Sequence, residues 1–165
     1  MKILMIIAPE NFKDEEYYIP KNIFEANNFN VVTASTILSA RSFAGKIQKV
    51  DVLVSDANAK NYDAVIFVGG PGASIYFNDK KAHELAKNAK TICAICIAPS
   101  TLANAGILKG KKATCWPSEK GNLENNGAIY TNEAVVVDGD LITANGPGAA
   151  KQFGETIVKK LKERD

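Results

Sequence analysis

The run Lys90-Thr91-Ile92-Cys93-Ala94-Ile95-Cys96-Ile97-Ala98-Pro99-Ser100 carries a thiol at the point where an apolar, strand-like stretch ends and a helix begins. Pro99 suits the first helical turn, where its missing N–H would have had no partner. A nucleophile at such a strand-to-helix corner is the layout of a nucleophile elbow, and the small residues Ala94 and Ala98 leave room for the turn. The positive end of the helix dipole and unpaired N–H groups favour the thiolate there. Cys96 is therefore expected to be the reactive atom, accessible and deprotonated at neutral pH. Cys93 lies mid-strand and is expected in the core. In a thioredoxin-like Cys-x-x-Cys pair the first cysteine is the exposed one, whereas here the second takes the corner, so a working dithiol is not expected. A zinc site from Cys93, Cys96, Cys115 and His83 lacks paired ligand spacing, and no metal is expected. Three cysteines in all suggest no disulfide framework.

A thiol needs a proton partner. His83 is the only histidine, and it falls in a polar amphipathic stretch that predicts an exposed ring. The activating group should then be a carboxyl. Glu10, Asp14, Glu15 and Glu16 follow the first strand-like run, Lys2–Ala8, and one of them is placed to reach Cys96. Protonated, such a carboxyl donates to the thiolate; ionised, it moves a substrate proton. Residue physics alone leaves Glu15 and Glu16 both open. Gly69-Gly70-Pro71-Gly72 matches neither a P-loop nor a dinucleotide fingerprint, and is read as close backbone approach with N–H groups as oxyanion donors. Gly146-Pro147-Gly148 is read the same way, and Trp116 either lines a pocket mouth or caps the core.

The elements that must position these residues alternate. Continuous apolar runs at Lys2–Ala8, Asp63–Val68 and Ile92–Ile95 suit parallel strands buried on both faces. Asn30–Ser35 is a further strand, and helical periodicity covers Glu15 to Asn28, about Asp79 to Asn88, and the stretch from Pro99 to near Gly106. Ser42–Ser55 is expected to form an antiparallel pair turning near Gly45 and continuing through Val50–Val54. Lys112–Trp116 is a short strand. Asp138-Gly139 signals a hairpin between Ala134–Val137 and Leu141–Ala144, and a final amphipathic helix runs to Lys162. The implied fold is α/β, a mostly parallel sheet with helices on both faces, over one domain of residues 1–165. Ligands of such sheets bind beyond the strands' carboxyl ends, where Cys96, Gly69-Gly70 and Gly146 all fall.

Composition narrows the function classes. A formal charge of +2, with 46% hydrophobic and 23% charged residues, gives no footprint for nucleic acid or membrane. No targeting segment is visible, and a cytoplasmic location is the default expectation.

Taken together, these landmarks resemble the ThiJ/PfpI superfamily. They are Met1–Ala8 with Glu15-Glu16 and Pro20, Tyr62 to Gly70, Ala94 to Pro99, Cys115-Trp116-Pro117, and Leu141 to Gly148. The resemblance spans nearly the whole chain and implies a flavodoxin-like three-layer sandwich. It places the nucleophile on Cys96 and the buried glutamate on Glu16. The oxyanion donors fall on Gly69, Gly70 and the N–H of Ile97, and Trp116, Cys115 and Gly146 line the pocket. It implies no cofactor and a homodimer. The loop pattern is most similar to the YajL-like branch. Ile97 stands where protease-type members carry histidine, and Trp116 where deglycase-type members do, so a peptidase lacks its base. Tyr76 stands where protease-type oligomers present a glutamate to a neighbour. The expected function is a cysteine-dependent glyoxalase or deglycase acting on small aldehydes or their adducts. The alternatives are a redox-responsive stress protein or chaperone using oxidation of Cys96, and, less favoured, an intracellular peptidase.

Overall fold

The computed structural model describes residues 1–164. Strand β1 (Lys2–Ile6) is followed by a three-residue β2 (Glu10–Phe12), helix α1 (Asp14–Ala26) and β3 (Asn30–Ser35). Then come β4 (Ser39–Ser42), β5 (Ile47–Lys49), β6 (Val52–Leu53) and β7 (Ala64–Phe67). Helix α2 (Lys80–Asn88), β8 (Ile92–Ile95), α3 (Pro99–Asn104), β9 (Lys112–Ala113) and α4 (Lys120–Asn125) follow. The chain closes with β10 (Ile129–Tyr130), β11 (Val135–Asp138), β12 (Leu141–Ala144) and α5 (Ala150–Glu163).

Seven strands form the main sheet in the order β11-β12-β8-β7-β1-β3-β6. All pairings are parallel except β11 with β12, the hairpin marked by Asp138-Gly139. Side-chain alternation divides β1 between two layers. Ile3 and Met5 face the core under α1 and α5 with Phe24, Phe153 and Ile157, and Leu4 and Ile6 face the core under α2, α3 and α4 with Leu85, Leu102 and Leu123. This is the expected three-layer α/β sandwich, and both faces of the sheet are covered because parallel crossovers place helices there.

Two sequence expectations change and one short strand is added. The stretch after β3 is not one antiparallel pair: β4 and β5 pair around Gly45, but β6 leaves them and joins the main sheet beside β3, with Ala34 opposite Val52. The short β2 pairs with β4, an element too brief to show periodicity. Lys112–Trp116 is strand only over Lys112–Ala113, which pairs with β10; from Thr114 the chain bends toward the site. Among the described residues no helix is long and apolar enough to cross a membrane.

Candidate active site

Cys96 closes β8 with φ of 66°, a left-handed conformation that few non-glycine residues adopt. Its own N–H donates to the Ala144 carbonyl (3.0 Å) and its carbonyl accepts from Trp116 N–H (2.8 Å), so the corner is tied to β12 and to the loop after β9. A left-handed residue of this kind costs about 1–3 kcal/mol and persists where the surroundings fix it. The turn projects the sulfur away from the sheet, with the N–H groups of Gly70 and Ile97 facing it. Cys96 is 8% exposed, while Cys93 and Cys115 are fully buried.

Helix α1 decides between the two glutamates. Glu16, Pro20 and Phe24 occupy one buried stripe at intervals of four, whereas Glu15 points to solvent. That i, i+4, i+8 spacing was the signal in the sequence that separates the pair. Glu16 is 0% exposed, and neither carboxyl oxygen has a hydrogen-bond partner of ordinary geometry. It lies beside the Cys96 thiol and Gly69 N–H, with Lys13 as the nearest cation.

Burial pushes the Glu16 carboxyl up to about 7, against the smaller opposing effects of Cys96, Lys13 and Gly69 N–H. Burial first, and then the Glu16 charge and its hydrogen bond, push the Cys96 thiol up to about 12, opposed by the N–H groups of Gly70 and Ile97. The two groups act as one acid with two steps: the pair gives up its first proton near neutrality and holds the second strongly. The thiolate is therefore not free-standing, as the helix dipole alone implied. At neutral pH the remaining proton sits mainly on sulfur, because the carboxyl gives up its proton near 7 and the thiol only near 12. The thiolate with Glu16 protonated is the minor arrangement, assisted by the two N–H groups aimed at sulfur.

Gly69 and Gly70 do different work. A Cβ on Gly69 would lie 2.5 Å from Glu16 Oε1 and 2.6 Å from Cys96 Cβ, so this residue is the backbone surface on which the pair rests. Gly70 has φ of 104° and abuts Lys13 N, and its N–H is turned to the sulfur. The expected glycine donor pair is thus corrected: Gly69 N–H serves the carboxyl, and Gly70 with Ile97 serves the thiol.

A cavity of about 310 Å³ opens over Cys96, lined by Lys13, Phe43, Gly70, Pro71, Ile97, Trp116, Ser118 and Pro147. Trp116 is 46% exposed at its mouth, which settles its placement. Gly146 supports it from behind, since a Cβ there would strike the indole at 2.8 Å. Cys115 does not line the cavity; it packs with Leu102 and Leu123 in the core under α3 and α4. Sequence reading missed Lys13, Phe43 and Ser118. Only Phe43 left a trace, an aromatic beside the Gly45 turn with no strand partner to require it.

His83 is half-buried rather than exposed, with Nε2 2.8 Å from the Phe77 carbonyl oxygen, and it is not among the residues lining this cavity. Tyr76 is 2% exposed and donates to the Ile7 carbonyl (2.8 Å), so it presents nothing to a neighbour.

The family described as DJ-1/PfpI matches residues 1–160. The chain belongs to the DJ-1/PfpI family. Among DJ-1/PfpI structures, a ThiJ/PfpI domain protein from Brachyspira murdochii superposes with a TM-score of 0.95 at 34% identity, covering 98% of this chain and 96% of that one. A Pyrococcus abyssi protein named a deglycase is 28% identical over 96% of this chain and 99% of its own. YraA of Bacillus subtilis, named provisionally for the cysteine proteases, is 30% identical over 98% of this chain and 99% of its own. DJ-1/PfpI relatives of similar coverage thus bear names of two different activities.

Proposed function

We propose that the chain is a cysteine-dependent enzyme that converts small 2-oxoaldehydes, or their adducts, to 2-hydroxy acids without a cofactor. The observation that carries this reading is Glu16, a fully buried carboxyl beside the Cys96 thiol with no other strong partner. A carboxyl poised near 7 can give a proton and take it back at neutral pH, as an internal proton shuttle requires.

The steps balance with water as the sole co-reactant. Cys96 thiolate adds to the aldehyde carbon, and the oxygen that gains the electron pair is held by the N–H groups of Gly70 and Ile97 and takes the Glu16 proton. Glu16, now a carboxylate, removes the hydrogen of that carbon and returns a proton to the neighbouring one, while the proton on the first carbon's oxygen passes to the former ketone oxygen. The former aldehyde carbon is thereby oxidised and the ketone carbon reduced, leaving a thioester on sulfur. Water displaces the thiol and releases the 2-hydroxy acid. The apolar walls of Phe43, Ile97 and Trp116 suit a small substrate. The homodimer expected from the resemblance belongs to the same proposal, supported by the apolar side chains Ile37, Leu38, Phe43 and Ile47 standing half or more exposed around the β4–β5 hairpin.

The test is lactate formation from methylglyoxal. Wild type should turn over, and Cys96→Ser and Glu16→Gln should fall to background. No turnover by wild type overturns the reading. A redox role is the second reading, supported by the graded exposure of the cysteines: mild peroxide should add two oxygens to Cys96 before Cys93 or Cys115. A peptidase reading gains nothing from His83, whose ring faces the Phe77 carbonyl.

A further inference from the structure

The cavity over Cys96 has a charge asymmetry. Of its lining residues, Lys13 alone carries a formal charge, and no carboxylate faces the opening. The remaining side chains are apolar except Ser118, whose hydroxyl donates to Glu119 Oε2 (2.7 Å) and so has no proton to offer a ligand. Glu16 belongs to the floor, buried beneath the sulfur.

Lys13 is held by its backbone. It is the residue before α1, and its N–H donates to the Gly69 carbonyl at 3.0 Å, which ties its Cα to the glycine under the Glu16–Cys96 pair. Its Nζ lies 4.7 Å from the centroid of the Phe43 ring, another wall of the same cavity. That cation–π contact keeps the ammonium over the pocket. Its ion-pair neighbour Glu15 is 3.9 Å away and half-exposed, too distant for a hydrogen bond, while the charges of Asp14 and of buried Glu16 also act on it. The lysine side chain is 30% exposed, so its donors remain available. Apolar walls lower the local dielectric and strengthen its pull on an anion.

We infer that Lys13 is a specificity-determining residue that selects substrates carrying a carboxylate close to the carbon attacked by Cys96. This rests on the proposed aldehyde reading for the reaction and deepens it: among small 2-oxoaldehydes the anionic ones are turned over faster than neutral ones such as methylglyoxal.

A pair of isosteric alkylating agents tests the inference without any aldehyde. Iodoacetate and iodoacetamide both form an S–C bond as iodide leaves, and differ in charge at the group beside the reacting carbon. Their rate ratio at Cys96, read by mass spectrometry of the Cys96 peptide, cancels changes in the thiolate population. Lys13→Met should lower the iodoacetate-to-iodoacetamide ratio roughly five- to tenfold relative to wild type. Lys13→Arg should keep most of it, Lys13→Glu should depress it further, and roughly molar salt should shrink the wild-type preference. A ratio that is the same in wild type, Lys13→Met and Lys13→Glu overturns the inference. Loss of methylglyoxal turnover in wild type with a Lys13-dependent ratio overturns the aldehyde reading and leaves the anion preference standing.

Discussion

Glu16 and Cys96 meet over the Cα of Gly69: a single methyl added there would lie 2.5 Å from the carboxyl oxygen and 2.6 Å from the thiol-bearing carbon. The chemistry of the site follows from that closeness, because two acids in one dry space share protons instead of titrating separately.

The first consequence is a pH profile. Alkylation of Cys96 by iodoacetamide should rise in two steps. A small one has its midpoint near the Glu16 value of about 7, from the minor thiolate arrangement, and the main one lies above the ordinary thiol range, where burial and the Glu16 charge hold the thiol up to about 12. Glu16→Gln removes the group that leaves the pair with one proton to share. Burial, the largest influence on the thiol, remains, but the raising effects of the Glu16 charge and hydrogen bond are gone, so the step near 7 should vanish and the main midpoint should fall below its wild-type position. Initial rates measured across pH for both proteins decide this; superimposable profiles would break the coupling.

Stability should carry the same signature. The folded Glu16 carboxyl sits near 7 against 4.5 unfolded. The unfolded chain releases this proton first as pH rises, so stability is greatest below the unfolded value. It declines between the two values and levels off above the folded one. The loss is about 3 kcal/mol across that window. Urea titrations at acid and mildly alkaline pH should show it in wild type. In Glu16→Gln most of the decline should vanish.

Gly69→Ala inserts a methyl between Glu16, Cys96 and the Ile95 carbonyl, 2.7 Å from that backbone oxygen. The crowding should cost about 1–3 kcal/mol. The displaced pair should lose roughly a hundredfold in methylglyoxal turnover. Thermal melts and kcat/KM separate the two effects, since a merely destabilised enzyme would recover its rate at low temperature.

Trp116→Ala should leave the fold nearly intact, because the indole is 46% exposed, and change stability by about 1 kcal/mol or less. The mouth it guards should widen. Bulkier aldehydes such as phenylglyoxal should gain relative to methylglyoxal, as competition between the two substrates will show.

The exposed apolar hairpin predicts self-association. Ile47 is 66% exposed and Leu38 58%. Light scattering should report a dimer for wild type, and Ile47→Lys should shift it to monomer at micromolar concentration. A wild-type monomer would refute the homodimer.

Much of the architecture was legible before folding. The runs at β1, β7 and β8 are apolar on every residue that a doubly covered parallel strand must bury, and Asp138-Gly139 announces its hairpin. The path from Ser39 to Leu53 was not legible. Strands of two to four residues carry too little pattern to show which sheet they join, and β6 follows the main sheet only because β3 offers a free edge.

Local sequence alone singled out Cys96 as the candidate nucleophile, since a thiol, small neighbours and a helix-starting proline all fall within Ala94–Pro99, a span that local backbone chemistry governs. Only the tertiary structure decided the rest of the site. It turned Cys115 into the core, divided the glycine pair between carboxyl and thiol, and put Lys13 and Phe43 at one cavity although α1, β3 and β4 separate them in the chain. Those outcomes depend on which surfaces distant segments bury against one another, a property of three-dimensional packing that one-dimensional periodicity does not encode.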